Sequence, residues 1–162
     1  MGYCVPAAIR AKIGSPGKQV VGNARDGAFM MTGMELNTAK TRNIGVVIFV
    51  FHDGELSQIS QGQEIPYSRK VCTKLGKVNL EGMAMATKSR YYSMRKNDEI
   101  SDVISIALRT AENGEPVIVD VNIDYTKRNY FTKGIVKTNI GCFPLSEKAR
   151  FIGRALNRNV IG

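Results

Sequence analysis

A chain of 162 residues, 43% hydrophobic and 23% charged, fits one globular domain with a substantial core. Its apolar runs fall short of the roughly 20 residues that cross a bilayer, and Arg10 and Lys12 interrupt any signal-peptide-like start. The net charge of +9 is spread along the chain, without the aromatic interleaving of a nucleic-acid platform, so nucleic acid is an unlikely partner.

Three widely spaced cysteines, Cys4, Cys72 and Cys142, match neither a disulfide framework nor a metal cluster and point to a reducing, cytoplasmic setting. Residues 2–13 predict a helix with Pro6 in its first turn, where a missing amide hydrogen is harmless. Gly14-Ser15-Pro16-Gly17 is a turn and not a phosphate-binding P-loop. Lys12 stands where that motif needs glycine, and Gln19 where it needs Ser or Thr. Gln19 to Ala24 predicts the first strand, ended by Asp26-Gly27. Thr32-Gly33-Met34-Glu35 has the T-x-x-E form of a capping box, opening a helix with Met31, Met34, Leu36, Thr38 and Ala39 as its buried face. Val46 to Phe51 is nearly all apolar, as a central strand of a parallel sheet should be, and it too leads into Asp-Gly, at Asp53-Gly54.

After Gly54 the pattern predicts a short helix and a loop closed by Gly62 and Pro66. Residues 78–87 predict a helix and Arg90 to Met94 a short strand. Asn97 caps an amphipathic helix to Glu112, with Ile100, Val103, Ile104, Ile106 and Ala107 on its apolar side. Asn113-Gly114 ends it, and Pro116 to Val121 predicts another buried strand. Residues 126–145 read as irregular, and Ser146 opens a final basic helix to Asn159. Helices alternating with strands predict an α/β fold, three layers α/β/α around a mostly parallel, doubly wound sheet.

Parallel strands would bring both Asp-Gly turns to the carboxyl edge of the sheet, where ligands bind in open α/β folds. Asp26 and Asp53 would then face one crevice from strands roughly 5 Å apart, or one strand further. Hard carboxylate oxygens suit Mg²⁺, which fills its remaining positions with phosphate oxygens and water. A glycine after each aspartate permits close approach of a phosphate to the backbone, and the first turn leads into a helix N-terminus that favours anions. The pattern predicts a Mg²⁺-diphosphate site.

The stretches M-G-Y-x-V-P-A-A-I-x-A-K-I-G-x-P-G-K-Q-V-V, x-D-G-A-F-M-M-T-G-M-E-L and D-G-E-L-S-Q-I resemble the diphosphate-binding domain of thiamine-diphosphate enzymes, above all the acetolactate synthase large subunit. The resemblance covers roughly residues 1–125, leaving 126–162 as a C-terminal extension with a terminal helix. It implies thiamine diphosphate and Mg²⁺ as cofactors. In that family the signature begins G-D-G and closes with N-N, the second Asn 27 positions after the Asp; here 53 − 26 = 27, so Asp53 falls on that metal-ligand position. The resemblance assigns the metal to Asp26, Asp53 and the backbone carbonyl of Glu55, the diphosphate lining to Gly27 and Ala28, and the residue that props the bent cofactor to Met1. His52 matches the first Asn, which does not bind metal, and reads as structural; Glu35 is explained by its capping box and not as a general base.

Two departures stand out. Arg25 replaces the first glycine of G-D-G, and either offsets the extra negative charge of Asp53 or obstructs the site. Arg10 replaces a small residue of the preceding helix. In the family, a separate pyrimidine-binding domain supplies the glutamate that activates the cofactor for decarboxylation of pyruvate and capture by a second 2-oxo acid. The resemblance therefore implies a pyruvate-like substrate, a companion chain carrying that domain, and a homo- or hetero-oligomer. The alternative is a non-catalytic remnant or binding module of the same fold with weak or no cofactor affinity.

Overall fold

The structure is a computed structural model that describes residues 1–67, 69–123, 141–150 and 152–153. The chain divides into two compact units, Met1–Glu55 with Leu75–Ile123, and Leu56–Lys74 with Asp124–Gly162.

The first unit is built on a sheet of four strands, β1 (Val21–Arg25), β2 (Val47–His52), β3 (Arg90–Met94) and β4 (Val117–Asn122), in the order β1-β2-β4-β3. All three pairings are parallel. The helices are α1 (Cys4–Gly14), α2 (Asp26–Thr32), α3 (Leu36–Thr41), α5 (Leu80–Thr87) and α6 (Ile100–Glu112), with 3₁₀ turns at Gly33–Glu35 and Asn97–Glu99. The connections from β1 to β2 and from β2 to β3 cross the sheet in one direction, and the connection from β3 to β4 returns. Right-handed crossovers then require helices on opposite faces, and the packing obeys. Side chains of α1, α2, α3 and α5, among them Val5, Phe29, Leu36 and Leu80, pack with Ile48, Val50 and Ile118. Ala107 and Ala111 of α6 pack with Val47, Val117 and Val119 on the other side. Alternate residues of β2 thus enter two cores, which is why its sequence is continuously apolar. The expected three-layer α/β architecture is present.

Two glycines allow this closeness. A Cβ on Gly45 would lie 1.7 Å from the carbonyl oxygen of Ala111, and one on Gly22 would lie 2.7 Å from Cys4 Sγ.

Several local expectations are corrected. The helix after β1 begins at Asp26 itself, with no intervening turn, and breaks at Thr32, whose φ of −140° is not helical. No capping box forms there: the Thr32 hydroxyl donates to the Gly2 carbonyl oxygen at 2.9 Å. Met31 and Met34 are exposed, as is Thr38, while Leu36 and Ala39 are fully buried. The broken helix rotates the methionines away from the sheet. Asn97 does not cap α6; the Glu99 carboxylate accepts the amides of Arg95 and Lys96 instead. Ile100 and Ile106 are exposed, and the buried stripe is carried by Val103, Ile104, Ala107, Leu108 and Ala111.

In the second unit, α4 (Ser57–Tyr67) continues through Gly62 and Pro66 where a loop was expected. One glycine costs a helix only about 1 kcal/mol, and Pro66 stands one residue from its end. Residues 141–142, 145–150 and 152–153 are helical, so the segment expected to be irregular contains helix and the last helix begins one residue before Ser146. The rest of both expectations lies outside the described residues.

Candidate functional site

The register Arg25↔Phe51 places the carboxyl end of β1 beside that of β2. Both aspartates therefore emerge at one edge, from adjacent strands. Asp26 is fully buried. Its Oδ1 accepts the amide of Gly27 at 2.7 Å, and its Oδ2 accepts the amide of Gly54 at 2.8 Å. Gly54 has φ of +70°, a conformation that side chains with a Cβ adopt at a cost, and this aims its N–H across the gap. Asp53 Oδ1 accepts the Glu55 amide at 3.3 Å, and its Oδ2 meets Arg25 Nη2 at 2.5 Å. The Asp53 side chain is 8% exposed and that of Arg25 36%.

The structure thus brings together Asp26, Gly27, Asp53 and Glu55 and adds two partners that the motif did not assign, Gly54 and the Arg25 guanidinium. Ala28 follows on α2, half-buried. Met1 is not gathered with them: it is 73% exposed, and the adjoining Gly2 is bonded to Thr32, at the end of α2 away from Asp26. Seven helical residues separate those ends by about 10 Å.

The donor set suits a small hard cation. Two carboxylates follow neighbouring strand ends, and Mg²⁺ asks for one or two of them, leaving its other positions to phosphate and water. Among the described residues no three His, Cys, Asp or Glu side chains gather as a metal cluster, so a metal here would depend on a backbone oxygen and its anion. The feature that opposes it is Arg25, which already neutralises Asp53.

Beside this pair, on the face packed by α1 and α5, lies a polar cluster that the motif reading missed. Asp120, in the apolar run of β4, is 4% exposed. Its Oδ2 accepts from Tyr91 Oη at 2.9 Å and from Arg95 Nη2 at 3.2 Å. His52 Nδ1 stands 3.6 Å from Asp120 Oδ1, beyond hydrogen-bonding reach. Burial, and then the bond to Asp120, push the Tyr91 hydroxyl pKa up. The signal was present in the sequence as one acid inside V-I-V-D-V. At the opposite, amino edge of the sheet is a concavity of about 390 Å³ crossed by the Lys40–Glu115–Arg90 ion pairs. It is separate from the aspartates.

Residues 1–121 match the family described as thiamine pyrophosphate enzyme, C-terminal TPP binding domain. The chain belongs to this family. Among similar proteins, an acetolactate synthase of Bacillus subtilis is 31% identical over 127 residues, 78% of this chain and 22% of the relative. A probable acetolactate synthase large subunit of Methanococcus aeolicus is 35% identical over 127 residues, 76% of this chain and 20% of the relative. An acetolactate synthase large subunit of Corynebacterium glutamicum is 42% identical over 67 residues, 41% of this chain and 11% of the relative. The chain spans about a fifth of the length of the first two. This thiamine pyrophosphate-binding domain therefore corresponds to one part of much longer enzymes. Among the described residues no helix is long and apolar enough to cross a membrane.

Proposed function

We propose that this chain is the cofactor-binding part of an acetolactate synthase-like enzyme, with residues 1–125 holding the diphosphate end of thiamine diphosphate together with Mg²⁺. The observation that carries the reading is the emergence of Asp26 and Asp53 at adjacent parallel strand tips, with the Gly54 amide next to Asp53 donating to Asp26. Asp26, Asp53 and the Glu55 carbonyl are the proposed metal ligands, Gly27 and Ala28 the diphosphate lining, and Met1 the support for the bent cofactor. We assign residues 126–162 to a C-terminal extension.

When bound, thiamine diphosphate supplies the nucleophilic carbon for decarboxylation of a pyruvate-like 2-oxo acid and its joining to a second. This chain's residues do the holding. Asp26, buried and fixed by two backbone amides, presents a charge that needs no reorganisation. Catalysis draws on domains outside these 162 residues, on a longer polypeptide or on a companion chain within a homo- or hetero-oligomer, and its setting is the cytoplasm.

Isothermal titration with thiamine diphosphate and Mg²⁺ tests this. Binding that is lost in Asp26→Ala, with the variant still folded, supports it; unchanged affinity in that variant rejects the site. A second reading, a non-catalytic module with weak affinity, is favoured by the Arg25–Asp53 ion pair. Absence of binding to the wild-type chain would select it.

A further inference from the structure

We infer that Arg25 is a built-in counter-ion that competes with the metal for Asp53, so that Mg²⁺ and the diphosphate load together and the metal binds poorly alone. This rests on the reading of the aspartate pair as a Mg²⁺-diphosphate site.

The argument starts from the four carboxylate oxygens. Both Asp26 oxygens and Asp53 Oδ1 accept hydrogen bonds from backbone amides, of Gly27 at the start of α2 and of Gly54 and Glu55 in the loop after β2, donors fixed by the main chain. Asp53 Oδ2 differs. It accepts from the guanidinium of Arg25, a side-chain donor and not a backbone one, on a side chain more than four times as exposed as that of Asp53, 36% against 8%. A guanidinium and Mg²⁺ cannot share that oxygen: each seeks its negative charge, and together they would set like charges a few ångströms apart in a partly buried place.

An incoming diphosphate changes the balance. Its oxygens accept the planar fork of a guanidinium as those of a carboxylate do, and Arg25 directly precedes Asp26, at the same edge. Moving the guanidinium from Asp53 to the phosphate keeps Arg25 neutralised and releases Asp53 for the metal, which also gains phosphate ligands. The two ligands are then positively coupled, and coupling is reciprocal: the anion tightens the metal by the factor by which the metal tightens the anion. Arg25 thereby both obstructs and supports the site, the first before the anion arrives and the second after.

The test is isothermal titration of Mg²⁺ into the 162-residue chain, alone and with saturating inorganic pyrophosphate, the latter corrected by blank titrations for magnesium pyrophosphate formation. The wild type should bind Mg²⁺ alone at least tenfold more weakly than with pyrophosphate. Arg25→Met should bind Mg²⁺ alone at least tenfold more tightly than the wild type and lose most of the coupling. Arg25→Lys, which keeps the charge, should stay near the wild type. Arg25→Gln is a second neutral variant should the first not fold, and a rise of its melting temperature on adding Mg²⁺ gives a readout independent of heat. Equal Mg²⁺ affinity in the wild type and both neutral variants overturns the competition and leaves the site standing. No Mg²⁺ binding by any of these proteins, with or without pyrophosphate, overturns both.

Discussion

The Gly54 amide donates to Asp26 Oδ2 over 2.8 Å, tying the tip of β2 to that of β1. The bond sets the loop that carries Asp53, because Gly54 follows it directly and takes a left-handed φ of +70° to reach across. Asp26 thus helps to shape the loop at the tip of the neighbouring strand.

Asp26→Asn should therefore lose stability and binding together. An asparagine has one acceptor oxygen for two amides, and its NH₂ must face one of them in a fully buried place. The expected loss is about 1–3 kcal/mol, read as a lower urea midpoint. A midpoint equal to the wild type's would show that one of the two bonds contributes nothing.

Gly54→Ala isolates the backbone conformation, since an added Cβ there meets nothing within 4 Å. Holding alanine at positive φ costs about 1–2 kcal/mol. Gly14 is the control: it too has open space, without the positive φ, and Gly14→Ala should leave the melting temperature unchanged or slightly raised. Equal effects at the two positions would contradict the account.

Gly45→Ala should be the most damaging of these glycine changes. Its methyl would lie 1.7 Å from a backbone oxygen of α6, which must move off the sheet. A loss of about 3 kcal/mol or more is expected, with thermal unfolding by circular dichroism as the readout. A shift of only a degree or two would mean that α6 docks less tightly than drawn.

Stability should fall at both ends of the pH scale. The side-chain bond from Arg90 holds the Glu115 pKa below its ordinary 4.5, and the amides of Arg95 and Lys96 do the same for Glu99. Lowered folded values mean that their contribution is present above about pH 4.5 and is lost as pH drops through the folded pKa. Tyr91 has the opposite sign: raised above its ordinary 10, its contribution is full below that value and lost as pH rises through the folded pKa. Urea midpoints of Glu115→Gln and Tyr91→Phe should fall less steeply than the wild type's, below pH 4.5 and above pH 10 respectively. Parallel curves would remove these groups from the account.

The pattern of residues was enough for the parallel strands and for the aspartate pair. Val46 to Phe51 could be read as a central strand because burial on both faces forbids polar residues anywhere along it. The Asp-Gly repeat predicted both aspartates at one edge of the sheet, and the register of the two strand ends places them there. Where the pattern misled, a competing local interaction won. Thr32 could cap a helix, but its hydroxyl found the Gly2 carbonyl, and Met31 and Met34 on either side of it are exposed. Asp120 was visible as an anomaly, yet Tyr91 and Arg95 lie on another strand and beyond it, and no spacing rule connects them.

Sequence alone settled the family, the order of helices and strands, and the two acids at the sheet's edge, because each is written in local periodicity or a fixed interval. Folding in three dimensions decided the state of those acids. Arg25 could have pointed to solvent or into the cleft, and only the register of β1 against β2 put its guanidinium on Asp53 and the Gly54 amide on Asp26. Contacts between side chains 28 residues apart depend on backbone placement that no stretch of sequence encodes by itself.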